Sequence, residues 1–242
     1  MLCPKRRKRM KSLSMTFGTK IDQKSWPFPN LDKIEGSGIT LEPLERGHLA
    51  DLWVSASADP SSFDYLRYGP FNDKDELGIL LDDLSSRVDQ PFWAVIPKGG
   101  KAEGWLSICD IYQGDGSIEI GSIWFSSSLQ GTRFGREAIF LLMCRCMDEL
   151  AYERLVWRCQ AQNEKSFRAA ESFGFRHEGT WRNAAVVKGW QRDVAWFSIL
   201  KEEWPVCRKA LLNWFLPGNF DAVGRQIKSL RALREQIDMS PE

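Results

Sequence analysis

The hydrophobic period changes along the chain, and that change limits the fold more than any single motif. Between Phe92 and Phe125 the apolar residues come in three short runs, Phe92–Ile96, Glu103–Tyr112 and Ser117–Phe125. Pro97-Lys98-Gly99-Gly100 and Gly114-Asp115-Gly116 separate them. Short strands joined by glycine turns make an antiparallel meander. After Gln130 the spacing becomes helical: Ala138, Ile139, Leu141, Leu142, Met143 and Met147 predict a helix from about Gly131 to Leu150. A strand at Leu155–Gln160, a helix at Asn163–Phe173 and strands at Phe175–Val187 and Trp190–Leu200 follow. A helix between two strands permits parallel pairing, which a tight hairpin does not. The expected class is α/β in the broad sense (α+β), with a mixed, mostly antiparallel sheet flanked by helices.

The flanks read differently. Ile39–Leu44 alternates apolar and polar residues and predicts a first strand, with Pro43 suggesting an edge position. Helical spacing recurs over His48–Ala58 and about Asp73–Val88. Residues 1–35 read as a disordered arm opening on the basic run Lys5–Arg9, which carries either no role, a nuclear-import signal or a transit segment. Met10 and Met15 are alternative starts. The expected organisation is this arm, a catalytic-size domain at 36–205, and a helical extension at 206–242.

Composition narrows the function classes. A net charge of +1 argues against a nucleic-acid binder, whose affinity comes from clustered Lys and Arg. Six cysteines show no CxxC pair, and His48 and His177 are the only histidines, so no metal site is expected. No apolar run approaches about 18 residues, the length of a membrane span. A cytoplasmic protein, monomer or homodimer, is expected.

The most telling junction is Ile123-Trp124-Phe125 followed by Gln130-Gly131-Thr132-Arg133-Phe134-Gly135-Arg136. A glycine loop feeding a helix N-terminus offers free N–H groups and a positive dipole end, a place for phosphate. Neither Gly-x-Gly-x-x-Gly nor a Gly-Lys-Ser/Thr ending occurs, so dinucleotide and P-loop readings fail. Downstream, Asn163 is a good N-cap, Ser166 falls three residues later, and Gly174 suits a helix C-terminus.

Taken in order, these features resemble the GNAT superfamily of acetyl-CoA-dependent N-acetyltransferases, in the branch that includes the ribosomal-protein N-terminal acetyltransferases. The likeness spans about residues 38–205 and extends to Glu178-Gly179, Arg192-Asp193 and Glu203-Trp204-Pro205. It implies that backbone groups of Ile123, Trp124 and Phe125 pair with the pantetheine arm of acetyl-CoA. It also implies that Gln130, Gly131, Thr132, Arg133, Phe134 and Gly135 hold the pyrophosphate, that Asn163 bonds the pantetheine, and that Ser166 protonates the leaving thiolate. Two departures stand out: Arg133 occupies the place of a loop glycine, and the second helix has Phe167 and Phe173 but no tyrosine.

Direct attack of an amine on a thioester needs a base, an oxyanion donor and a leaving group. Glu119 is the candidate base, expected on the side of Gly121 and Ile123, with Asp110 as rival and substrate contact. Trp93, Trp105, Trp124, Trp181 and Trp190 supply indoles to the acceptor region. Arg182 and Arg192 either bind an acceptor carboxylate or pair with Asp193 and Glu178. Trp93, Trp105, Asp110 and Arg182 are the candidate substrate contacts, and a small-molecule amine is preferred to a protein N-terminus. The alternative is a sensor or scaffold of the same fold that binds acyl-CoA without turnover.

Overall fold

The computed structural model describes Gly18 and residues 20–239; the basic run Lys5–Arg9, Cys3 and the alternative starts lie outside them. Eight strands form one sheet: β1 (Ile34–Glu35), β2 (Ile39–Pro43), β3 (Phe92–Pro97), β4 (Gly104–Tyr112), β5 (Ser117–Phe125), β6 (Arg154–Gln160), β7 (Arg176–Val187) and β8 (Trp190–Leu200). Six helices accompany it: α1 (Leu49–Ala58), α2 (Lys74–Ser86), α3 (Arg133–Cys144), α4 (Glu164–Phe173), α5 (Trp204–Phe215) and α6 (Leu230–Asp238). The strand order is β1-β2-β3-β4-β5-β6-β8-β7. Every pairing is antiparallel except β5 with β6, which the intervening α3 makes parallel.

The helices divide between the two faces. Leu52 and Ala56 of α1 and Leu77, Leu81 and Leu84 of α2 bury against Phe92, Trp105 and Trp124 on one face. On the other, α3, α4, α5 and α6 cover Leu106, Ile108, Ile118, Ile120, Leu155, Trp157 and Phe197. Burying a Leu or Phe side chain contributes about 1.5–3 kcal/mol, so both faces carry substantial stability. The helix expected over Gly131–Leu150 ends its α-helical part at Cys144 and continues as a π-turn over Arg145–Glu149.

Two sequence expectations change. β2 is not the edge, because β1 pairs with Leu41 and Thr40; Pro43, beyond that short contact, keeps an unpaired side as its missing N–H requires. The arm expected to be disordered up to residue 35 is packed from Trp26 on. That indole is buried at 3% exposure and donates to the Ala151 carbonyl, and Tyr152 Oη donates to the Pro27 carbonyl. The C-terminal extension packs on the domain: Trp204, Leu211, Trp214, Leu230 and Leu233 belong to the same core as the sheet.

Candidate active site

β5 and β6 pair only over Ser117↔Arg154, Ile118↔Leu155 and Glu119↔Val156. Beyond Glu119 the β5 edge facing β6 has no strand partner, while its other edge stays laddered to β4 up to Gly104↔Phe125. The opening is therefore a wedge in the middle of the sheet, with no strand paired to the β6-facing edge along Ile123, Trp124 and Phe125.

A bulge sits at the mouth of this wedge. Trp105 faces Trp124 and Ser107 faces Gly121, so Leu106 opposes both Ser122 and Ile123, and Ser122 takes a φ of 49°. The extra residue flips the side chains that follow. Glu119 and Trp124 lie on the α1–α2 face, whereas Ile123 packs with the α3 core. The expectation that Glu119 shares a face with Ile123 is thus corrected by one inserted residue.

The α3 end of the wedge is built for an anion. Thr132 caps the helix, its Oγ1 accepting from Gly135 N at 3.2 Å and donating to the Leu129 carbonyl at 2.7 Å. The N–H groups of Arg133 and Phe134 fall in the first turn, where no intrahelical acceptor exists. Gly131 has a φ of 71° and open space beside its Cα. A Cβ on Gly135 would stand 2.6 Å from the Leu129 carbonyl, so only glycine lets loop and helix approach this closely. Gln130 Nε2 donates to the Phe125 carbonyl at 2.9 Å and ties the loop to the end of β5. Phe134 leans on Gly38 of the β1–β2 turn.

Arg133 does not enter the loop. Its guanidinium donates to the Phe215 carbonyl at the end of α5 and lies 4.9 Å from the Phe220 ring centroid. The extra side chain is taken up by the C-terminal extension, and the phosphate loop keeps its space.

α4 supplies the other wall. Asn163 Oδ1 accepts from Ser166 N at 3.1 Å as the N-cap, which leaves the Asn163 amide nitrogen available. Trp157 Nε1 donates to Ser166 Oγ at 3.1 Å, so the serine hydroxyl retains its own proton to give. Trp157 packs with the α3–α4 core, the face opposite Glu119. The two candidate catalytic groups therefore approach the wedge from opposite sides of the sheet.

On the α1–α2 side, Glu119 is almost fully buried and accepts from Arg158 Nε. Arg158 also pairs with Asp110, which a second bulge with φ of 43° turns toward it, and its guanidinium lies 4.8 Å from the Trp196 ring centroid. Burial pushes the Glu119 carboxyl up, to about 8, while the Cys109 thiol bonded to it pulls the other way. The Arg158 N–H on Oε2 works in the same direction as that thiol. A carboxyl that ionises near 8 suits a general base working just above neutrality.

A roof closes this side. The segment after α1 runs through a single 3-10 turn at Pro60–Phe63. Tyr65 Oη donates to the Gln162 carbonyl, Gln160 Nε2 donates to the Tyr65 carbonyl, and Lys188 Nζ reaches the Phe63 carbonyl at 2.8 Å. Tyr68 Oη, accepting from Trp105 Nε1 at 3.0 Å, lies against the Ser122 carbonyl. Beside it, Arg154, Glu178, Gly179, Trp181 and Trp196 line a hollow of about 300 Å³.

The indole and arginine expectations are redistributed. Trp93 is fully buried in the α3-side core and donates to the Asp32 carbonyl, away from the acceptor face. Trp105 is fully buried beneath Tyr68, its ring tilted against Trp124 with centroids 4.5 Å apart, so it supports the roof rather than lining a pocket. Both sit in strands flanked by apolar residues on each side, where alternation carries no signal. Arg182 is exposed beside Trp181, Asn183, Ala184 and Asp193, around an open hollow of about 710 Å³ at the outer strand. Asp110 does join Glu119. Arg158 and Trp196 went unread because only the β5–β6 and β6–β8 registers bring them together. Among the described residues, no group of three or more His, Cys, Asp or Glu is placed to hold a metal, and no helix is long and apolar enough to cross a membrane.

The comparisons agree with this geometry. The family model of the acetyltransferase (GNAT) domain matches residues 39–176. A GCN5-related N-acetyltransferase structure from Brucella melitensis is 39% identical, with a TM-score of 0.86, covering 88% of this chain and 99% of that one. A GNAT-family structure from Chromobacterium violaceum is 35% identical, with a TM-score of 0.73, over 81% of this chain and all of that one (100%). The Bacillus subtilis protein named "Putative ribosomal N-acetyltransferase YdaF" is 27% identical over 184 residues, 68% of this chain and 90% of its own. A sheet wedged open between β5 and β6, a capped phosphate loop at α3 and these relatives converge: the chain belongs to the GNAT family of acetyltransferases.

Proposed function

We infer that the chain moves an acetyl group from acetyl-CoA to a primary amine by direct attack, and that the amine is a small molecule. The observation that carries this reading is the placement of Glu119 and Ser166 on opposite faces of one wedge. Acetyl-CoA supplies the thioester to be attacked. The residues present suit it: a glycine-lined helix start for the pyrophosphate, an unpaired β5 edge for the pantetheine amides, and the free amide nitrogen of Asn163.

Each residue then has a task. Glu119, ionised and held by Arg158, accepts the proton of the attacking amine. A backbone N–H on the unpaired edge near Trp124 stabilises the carbonyl oxygen as charge develops. Ser166 Oγ gives its proton to the departing sulfur, and Trp157 Nε1 holds that oxygen in place. The roof of Tyr65, Tyr68 and Lys188 narrows entry to the α1–α2 face, which favours a small acceptor over a protein chain. The orientation of Arg133 toward Phe215 speaks against one of the two features that favour a sensor without turnover, the other being the absence of a tyrosine from α4.

The test is thiol release from acetyl-CoA over a panel of amines, with binding measured separately. Release stimulated by a small amine supports the reading; release only with peptide N-termini would move the acceptor to proteins.

A further inference from the structure

Among the described residues, four enclosed side-chain polar atoms lack a hydrogen-bond partner: Arg145 Nε, Gln160 Oε1, Arg192 Nε and Trp196 Nε1. Arg145 Nε lies 3.2 Å from Glu149 in an ion pair. The other three lie on one face of the sheet. Gln160 faces Val194 across β6 and β8, and Arg158 faces Trp196. Arg192 and Trp196 lie two residues either side of Val194, which puts them on the same face as Gln160. That is the face on which Arg158 meets Glu119 and Asp110.

Buried polar groups are normally satisfied, so a cluster of orphans on one face marks what a ligand must bring. Gln160 is 8% exposed, and its amide orientation is fixed because Nε2 donates to the Tyr65 carbonyl. Its Oε1 stands at the open end of the wedge and asks for an N–H. Trp196 Nε1 and Arg192 Nε ask for oxygens.

Charge sharpens the request. The two carboxylates that could have neutralised Arg192 are committed elsewhere. Glu178 accepts from Arg154 and Ser198, and Asp193 accepts from Asn183 N at 2.7 Å. No carboxylate of the described residues lies within ion-pair distance of Arg192. Lys188 sits nearby, its amine held below the usual range by burial, which outweighs the opposing pull of Asp64, with a smaller push from the Arg192 charge. Two cations thus share a half-enclosed corner, with Asp64 acting on Lys188.

We propose that the acceptor is an amine that carries a carboxylate, with its N–H on Gln160 Oε1 and its carboxylate on Arg192 and Trp196 Nε1. This rests on the transferase reading above and names the substrate class of that site. The bond that forms is between the amine nitrogen and the acetyl carbon; the carboxylate takes no part in the chemistry and sets position alone.

The experiment uses the full chain, acetyl-CoA and matched triples: each protein α-amino acid, β-alanine and γ-aminobutyrate, each with its methyl ester and its decarboxylated amine. At least one acid is expected to exceed both partners about tenfold in kcat/KM. Arg192→Met should erase that gap through KM, and Arg192→Lys should restore part of it. Esters or decarboxylated amines that match the acids, a gap that survives Arg192→Met, or a wholly inert panel with acetyl-CoA bound would each overturn the proposal. Absence of acetyl-CoA binding is a different result and overturns the transferase reading itself.

Discussion

Arg158 Nε donates to Glu119 Oε2 across β5 and β6 at the last point where the two strands still run together. The same guanidinium holds Asp110 and lies over Trp196. One cation therefore anchors the candidate base, its rival and the acceptor wall, and the first predictions concern that base.

Glu119→Gln removes the proton acceptor and is expected to lower kcat by about 10²- to 10⁴-fold, the range for general-base loss. A carboxyl pushed up to about 8 is active only when ionised, so wild-type kcat/KM should rise as pH passes through about 8. The variant should lose that limb. A rising limb that persists unchanged in Glu119→Gln would assign it to the amine substrate instead.

Arg158→Met withdraws the charge that favours ionised Glu119, so the same limb should move to higher pH while the variant stays folded. A limb that stays put, read from kcat/KM between about pH 6 and 10, would show that Arg158 serves packing alone.

Ser166→Ala is expected to reduce kcat with little change in acetyl-CoA affinity, because the proposed role of its Oγ is to protonate the leaving sulfur while its backbone N–H keeps the Asn163 cap. Single-turnover thiol release checks the chemical step. An unaffected rate would mean that water protonates the sulfur.

Gly135→Ala forces a Cβ to within 2.6 Å of the Leu129 carbonyl, so the loop must open. Acetyl-CoA affinity should fall by at least about tenfold, or about 1.4 kcal/mol, measured by calorimetry. Arg133→Ala should not have this effect, since that side chain faces Phe215 and Phe220.

Ending the chain after Leu216 removes two buried leucines, Leu230 and Leu233, and the Arg234 donors to the Glu171 and Ser172 carbonyls at the C-terminus of α4. The leucines alone contribute about 3 to 6 kcal/mol. A large fall in Tm is expected. A truncated chain that melts like the whole one would show that the extension adds nothing to the stability of the domain.

Much of this was legible in the sequence, and the reasons for the remainder are physical. Element order and the α3 loop followed from hydrophobic period and from glycine and cap placement at Thr132, Gly135 and Asn163. The face of Ile123 did not, because a bulge at Ser122 inverts the alternation, and the isolated Gly121 before it is its only local signal. Trp93 and Trp105 were misplaced since strands buried on both sides carry no alternating pattern. Arg158 and Trp196 are 38 residues apart and meet only through the β6–β8 register, which local spacing does not encode. Arg133 takes the place of a loop glycine, and its partners Phe215 and Phe220 lie more than 80 residues away in the tail, which local spacing does not encode.

Calorimetric titration of the full chain with acetyl-CoA tests the central claim most directly. The account predicts one saturable site per chain, weakened by Gly135→Ala and untouched by Arg133→Ala. A chain that releases no heat and shows no saturable binding would contradict it, whatever its fold.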